Sequence, residues 1–330
     1  MYIFTGEDEI LSYHFQCRVI DAHCDTVQNF TGEKGDYDFT SNNQCGHVDL
    51  PRLEAGGIKV QFFALFIEEK FRVTGAFSRG FQLLEYYFST IEKLTGQVET
   101  IYSRKDLEKV KQSSKIGALL TIEGGEALEG SIQNLKEFFN LGVRGLGLTW
   151  NNQNQLAAGI SANTDNGLTP LGKKVIKEMN RLGMLVDLAH LGTKGYNEAL
   201  DLTESPAIVS HANTKKICDH PRNLSDAQLR CLKQNGGVVG MTFCPDFIHQ
   251  ASPSMEKLLD HFEHVAGVAG VESVGIGSDF DGISYPVEGL DDASYVPNLT
   301  RGLVSRGFSK DEIGKILYGN FERVLKAVMP

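Results

Sequence analysis

The chain has 330 residues, 41% hydrophobic and 22% charged, an ordinary globular composition. With 42 acidic against 32 basic residues the formal net charge is −10, which argues against nucleic acid, whose recognition needs a basic footprint. There is no signal-peptide pattern and no run of about 18 apolar residues, and six cysteines without a C-x-x-C pair form neither a disulfide framework nor a zinc knuckle, so a reduced, cytoplasmic protein with no membrane partner is expected.

In chain order, residues 1–17 read as a peripheral N-terminal extension. Apolar runs then predict strands at 18–22, 59–66, 116–122, 143–149, 184–188, 206–210, 237–243 and 273–277. These runs are continuous rather than alternating, as in strands buried on both faces. Between them, apolar spacing of three to four predicts helices over 77–96, 131–142, 169–183 and 225–237. Thr169 and Ser225 are placed as N-caps, Pro170 at a first helical position, and Gly142 and Gly183 as terminating glycines. The Gly/Asp/Asn-rich stretch 31–47 reads as a peripheral addition or a loop over the active face. The β-α order gives an α/β fold, and eight strands suffice to close a (β/α)8 TIM barrel, here a single domain over 1–330.

Catalytic groups of such a barrel sit at the C-terminal ends of its strands. Those ends read AHCDT (22–26), IEGGE (122–126), TWNN (149–152), LAHLG (188–192), SHAN (210–213) and GSDFDG (277–282). VIDAHCDT (19–26) could close on a metal-ligand pair, a nucleophilic cysteine or a polar strand terminus. Alternation along a strand puts His23 and Asp25 on one face and turns Cys24 away, which favours an inert, buried thiol. Imidazoles and carboxylates without thiolate suit Zn²⁺, or Mn²⁺, Co²⁺ or Fe²⁺. His23 and Asp25 can hold one ion, His190 and His211 a second, and Glu123 can bridge them, so that a shared water loses its proton near neutral pH. Asp279 could take that proton and pass it to a leaving amine. Each residue has a plainer account alone: a hydrogen-bonded His–Asp pair, a loop carboxylate, two core histidines, a capping aspartate. Their joint placement at strand ends favours the metal site. His14, His47, His220, His249, His261 and His264 are expected in loops or on the surface, His220 beside a candidate substrate arginine.

Together DAHCDT, VDLPRLEAGGIKVQFF, IEGGEAL, LGVRGLGLTW, DLAH, VSHAN, HPRNLSD and IGSDFDG, ordered over about residues 19–326, resemble the membrane (renal) dipeptidase family of zinc peptidases. The resemblance implies a (β/α)8 barrel with two zinc ions, one on His23, Asp25 and Glu123, the other on Glu123, His190 and His211. It further implies Asp279 as acid/base, and Arg222 of HPRN as the bidentate partner of the substrate's C-terminal carboxylate. Free dipeptides, L,L and L,D, are the implied substrates, and a homodimer the implied assembly. Two positions depart from the mammalian pattern. Trp150, in LTWNN, stands where those members carry a histidine against the substrate, leaving its indole N–H and the neighbouring Asn151 as donors. Cys244 replaces an aromatic residue. The chain lacks the secretion, anchoring and disulfide signals of the animal enzymes, as a bacterial-type member would. Two rivals stay open. Another barrel metal hydrolase (cyclic amidase, lactonase or phosphoesterase) would more often start with His-x-His and bridge its ions with lysine. A non-catalytic metal-binding barrel is the other, and Trp150 would suit it.

Overall fold

The computed structural model describes residues 4, 6–33 and 35–330. Eight parallel strands form a closed ring: β1 (Val19–Cys24), β2 (Ile58–Phe66), β3 (Ile116–Glu123), β4 (Val143–Gly147), β5 (Leu185–Asp187), β6 (Ile208–Ala212), β7 (Val238–Met241) and β8 (Val274–Ile276). β2 pairs with β3 from Val60↔Gly117 to Phe66↔Glu123, and β1 meets β8 at Asp21↔Ile276. That last seam is also tied by side chains: the Asp21 carboxylate accepts from the Ser278 amide at 2.8 Å and its hydroxyl at 2.6 Å. Almost every strand residue is buried, because one face fills the barrel and the other meets the helices. This is a (β/α)8 TIM barrel, as the order of runs predicts.

One strand had no counterpart among the predicted runs. Val98–Thr100 pairs with Ile116–Ala118, along the edge of β3 that β4 leaves open until Leu120. At three residues, two of them polar, it is too short to show a period.

The helices follow their caps. Pro170–Leu182 starts where Thr169 accepts from the Gly172 amide and stops at Gly183, whose φ of 71° only glycine adopts at little cost. Asp226–Asn235 opens with a reciprocal capping box between Ser225 and Gln228. Ile132–Asn140 is capped by Ser131 and ends two residues before Gly142, and Ala76–Ile91 gives way to a 3₁₀ turn. Each turns an apolar face inward, for example Val175, Ile176 and Met179.

The N-terminal segment does more than decorate the barrel; residues 1–3 and 5 of it, and residue 34 of the 31–47 stretch, lie outside the described residues. Helix Glu7–Cys17 presents His14, fully buried, to two partners: Nε2 donates to the Gly56 carbonyl at 2.9 Å, and Nδ1 accepts from the Thr300 hydroxyl at 2.7 Å. His261 is likewise fully buried, accepting from the Thr214 amide and donating to the Ile248 carbonyl. Both were expected in loops or on the surface. Each sits on the inward face of a helix, and only a partner distant in sequence makes a buried imidazole tolerable there.

Candidate metal centre

Six side chains converge at the C-terminal mouth of the barrel. His23 is the penultimate residue of β1 and Asp25 the first after it; Glu123 ends β3; His211 lies within β6; His190 and Asp279 each follow β5 and β8 by three residues. None is more than 9% exposed. Three non-glycine residues here have left-handed backbones: His190 (φ 64°), Asp279 (φ 67°) and Asp281 (φ 65°). Such conformations are uncommon for side-chain-bearing residues and persist where the surroundings impose them. Asp281 shows how: it accepts from the Thr26 hydroxyl and the His47 amide, while its own amide donates to His47 Nδ1.

The donor atoms form overlapping triads. His23, Asp25 and Glu123 bring ligand atoms within 4.8 Å of one another, and so do Glu123, His190 and His211. The two carboxylate oxygens of Glu123 divide between them: Oε1 is 2.8 Å from His190 Nε2 and 3.8 Å from His211 Nε2, while Oε2 is 3.5 Å from His23 Nε2. Asp25 Oδ2 lies 3.4 Å and Asp279 Oδ1 3.8 Å from that same His23 nitrogen. Asp279 also forms a triad with His23 and His211, so it stands against both halves of the cluster.

Outer hydrogen bonds set the tautomers. His190 Nδ1 donates to Asn151 Oδ1 at 2.7 Å. His211 Nδ1 meets the Ser210 hydroxyl at 2.9 Å, and that hydroxyl is in turn bonded to the carboxylate of Asp187. Both rings therefore carry their proton on Nδ1 and aim the Nε2 lone pair inward, the arrangement expected of metal-ligating histidines. The two Nε2 atoms are 2.9 Å apart beside Glu123 Oε1. Three lone pairs at that spacing repel unless a cation lies among them. His23 Nε2 and Asp25 Oδ1 are moreover buried without hydrogen-bond partners. Nitrogen and oxygen donors, orphaned and convergent, fit divalent zinc-type ions.

The charge balance agrees. Burial, assisted by Arg222, drives His190 down to about 4, and burial with His23 holds His211 well below the usual imidazole range, so both are neutral imidazoles. Burial also opposes a proton on His23, but Glu123 and Asp25 outweigh it and raise that imidazole well above its ordinary value. Glu123 is held well below the carboxylate range, its burial outweighed by His23 and His190. Burial lifts Asp279 to about 8, with Asp25 and Glu123 adding to the rise and His23 opposing it. A proton on His23 thus offsets carboxylates that metal ions would offset equally well.

A cavity of about 470 Å³ opens over this cluster, lined by Asp25, Glu123, His190, His211 and Asp279 together with Arg222, Trp150 and Asn151. Arg222 is 6% exposed; one Nη donates to the His211 carbonyl, and its buried Nε has no partner. His220, expected as a loop residue, stacks on Phe247 at 4.5 Å and lines the cavity beside it. Cys244 reaches the same wall. Cys24 is fully buried, and its thiol accepts from the Thr26 hydroxyl. The candidate ligands His23, Asp25, Glu123, His190 and His211 therefore meet Asp279, Arg222, Trp150 and Asn151 in one place. Asn151 lines the cavity while its carbonyl oxygen accepts from His190 Nδ1. Asp187 and Ser210 were missed, although a serine directly before a ligand histidine is a readable cue. Gly282 was missed too; a Cβ there would stand 2.2 Å from Asp25 Oδ2 and 2.6 Å from Asp279 Oδ1.

Comparison with known proteins bears on the same residues. The profile of membrane dipeptidase (peptidase family M19) matches residues 8–329. The chain is 33% identical over 311 residues to dipeptidase tcpJ of Claviceps purpurea, covering 88% of this chain and 73% of that one. It is 31% identical over 325 residues to dipeptidase verJ of Clonostachys rogersoniana, covering 94% and 84%. Among solved structures it resembles a metallopeptidase of family M19, dipeptidase AC, with a TM-score of 0.89 and 25% identity over 94% of this chain and 98% of the other. A metallopeptidase from Rhodobacter sphaeroides, liganded with a phosphinate mimic of L-Ala-D-Ala, shares the fold at a TM-score of 0.87 and 23% identity, over 94% and 99%.

Proposed function

We propose that this chain, which belongs to the membrane dipeptidase family and is a metallo-dipeptidase, cleaves free dipeptides at a pair of divalent ions, zinc by preference. His23, Asp25 and Glu123 would hold one ion, and Glu123, His190 and His211 the other. The observation that carries this is the division of the Glu123 carboxylate, one oxygen toward His190 and His211 and the other toward the orphaned His23 nitrogen. When bound, such a pair supplies Lewis acidity and lowers the pKa of water.

The protein's own groups do the rest. Arg222, buried with a free N–H at the cavity wall, receives the substrate's C-terminal carboxylate and fixes the length of peptide that fits. Asp279, against both halves of the cluster, accepts a proton from the attacking water and returns one to the leaving amine. Asn151 and the Ser210–Asp187 pair keep His190 and His211 in register. The six cysteines are all unpaired thiols, which supports a reducing, cytoplasmic setting. No helix among the described residues is long and apolar enough to cross a membrane.

Metal analysis of the purified protein, paired with a panel of L,L and L,D dipeptides, tests this proposal. About two equivalents of metal per chain and turnover of dipeptides are expected, with Asp279→Asn keeping the metal but losing turnover. One equivalent, or an active Asp279→Asn, would sink the two-ion scheme as drawn.

A further inference from the structure

We propose that Arg72 is a positioning residue for Trp150, and that through the indole it favours dipeptides whose first residue carries an apolar or aromatic side chain. The specificity half rests on the dipeptidase reading above; the positioning half does not.

Arg72 closes the helical turn Glu69–Arg72 that follows β2. Its Nε donates to the Ile67 carbonyl at 2.9 Å, but both Nη atoms are buried with no hydrogen-bond partner. The carboxylate in ion-pair range is Glu69, 3.7 Å from Nη1 and itself 72% exposed. Leaving buried N–H groups unmatched is unfavourable, and the buried Glu126 carboxylate attracts the guanidinium without a hydrogen bond, so its place must be fixed by other contacts as well. What it faces is aromatic: its central carbon lies 4.2 Å from the Trp150 ring centroid and 5.3 Å from that of Phe66. A desolvated guanidinium over indole is among the stronger cation–π arrangements.

Trp150 is held from other directions as well. Its ring stacks on His190 at 6.0 Å and meets Phe66 edge-on at 5.7 Å. Three groups thus fix a partly buried side chain, and Trp150 and Phe66 form a wall of the cavity. In a ring of eight strands, the β2–β4 side stands across from β6–β8. Phe66 ends β2 and Trp150 follows β4, whereas Arg222 follows β6 and Cys244 and Phe247 follow β7. A dipeptide with its carboxylate on Arg222 and its scissile bond over the metal ligands therefore directs its first side chain at the Phe66–Trp150 wall. An indole pinned in one rotamer is a preorganised apolar surface, and a loose one is not.

Trp150 is the chain's single tryptophan, so its emission reports this contact alone. The test compares Arg72→Leu and Arg72→Lys with wild type. In Arg72→Leu, acrylamide quenching of the indole should rise about twofold, and KM for Leu- or Phe-first dipeptides about fivefold, the scale of one exposed-to-desolvated cation–π contact. Kcat, and KM for Gly-first dipeptides, should stay within about twofold, and Arg72→Lys should recover part of both effects. Unchanged quenching, or a KM that rises alike for Gly-first and Leu-first substrates, would overturn the proposal. If wild type cleaved no dipeptide at all, the dipeptide reading would fall, while the quenching comparison would still decide whether Arg72 positions Trp150.

Discussion

Replacing Gly282 by alanine adds one methyl group and is expected to cost this protein most of its activity. Gly282 does not occupy the left-handed region, so its backbone accepts an L-residue. The obstacle is space: the new Cβ would stand 2.2 Å from Asp25 Oδ2 and 2.6 Å from Asp279 Oδ1, where 3.4 Å is an ordinary contact. The two carboxylates must then retreat by about 1.2 and 0.8 Å, the differences between those distances and 3.4 Å. Asp25 is a proposed metal ligand and Asp279 the proposed proton carrier, so one methyl displaces both. Misplacement by about 1 Å costs on the order of 10²-fold in rate, or about 2.7 kcal/mol of transition-state stabilisation. The assay pairs kcat/KM on a dipeptide with metal content after exhaustive dialysis, using circular dichroism to show that the barrel is intact. Activity near wild type with a full complement of metal would refute the argument, since it would mean that Asp25 and Asp279 are not held where they stand here.

Removing the acceptor on His190 by Asn151→Ala should weaken metal retention against a chelator by about 10–100-fold, whereas Asn151→Asp, which keeps an oxygen there, should retain most of it. His261 gives a pH dependence away from the metal centre. Burial depresses it from 6.5 to about 4, so the folded state binds fewer protons between those values and its stability is complete only above pH 6.5. Up to about 3 kcal/mol should be lost as pH falls from 6.5 to 4; urea titrations of wild type and His261→Gln across that range would check it, a slope equal in both disproving the assignment. Cys24, buried and with its thiol pushed well above the usual range, should resist iodoacetamide in the native protein while exposed Cys45 reacts; modification of native Cys24 would reopen the nucleophile it was first weighed as.

What could be read from the linear sequence was whatever depends on neighbours along the chain. The barrel strands announce themselves because burial on both faces removes polar residues from runs such as KVQFFALF and KIGALLTI. The candidate ligands follow those runs closely, and alternation alone pairs His23 with Asp25. The rest is legible only once the ring has closed. Nothing in the sequence near Arg72 points to an indole 78 positions away, nor near His14 to Thr300. Asn151 lines the cavity, and its bond to His190 was not readable, since a strand-end amide can face the substrate, a neighbouring histidine or both. Val98–Thr100 escaped because three residues carry no period.

The seam between β1 and β8, with Asp21 bonded to Ser278, has a consequence for biosynthesis. Of the groups at this centre, His23 stands on β1 and the proposed proton carrier Asp279 just past β8, 256 residues later, so the second is synthesised well after the first. The Asp25–Glu123 half has neighbours early, but it cannot be aligned until the last strand docks beside the first. A nascent chain therefore exposes incomplete sets of histidines and carboxylates for most of its synthesis, and the complete centre arises only when the ring shuts. Loading with metal should consequently be late and post-translational, and its timing governed by closure of that seam rather than by the supply of ions.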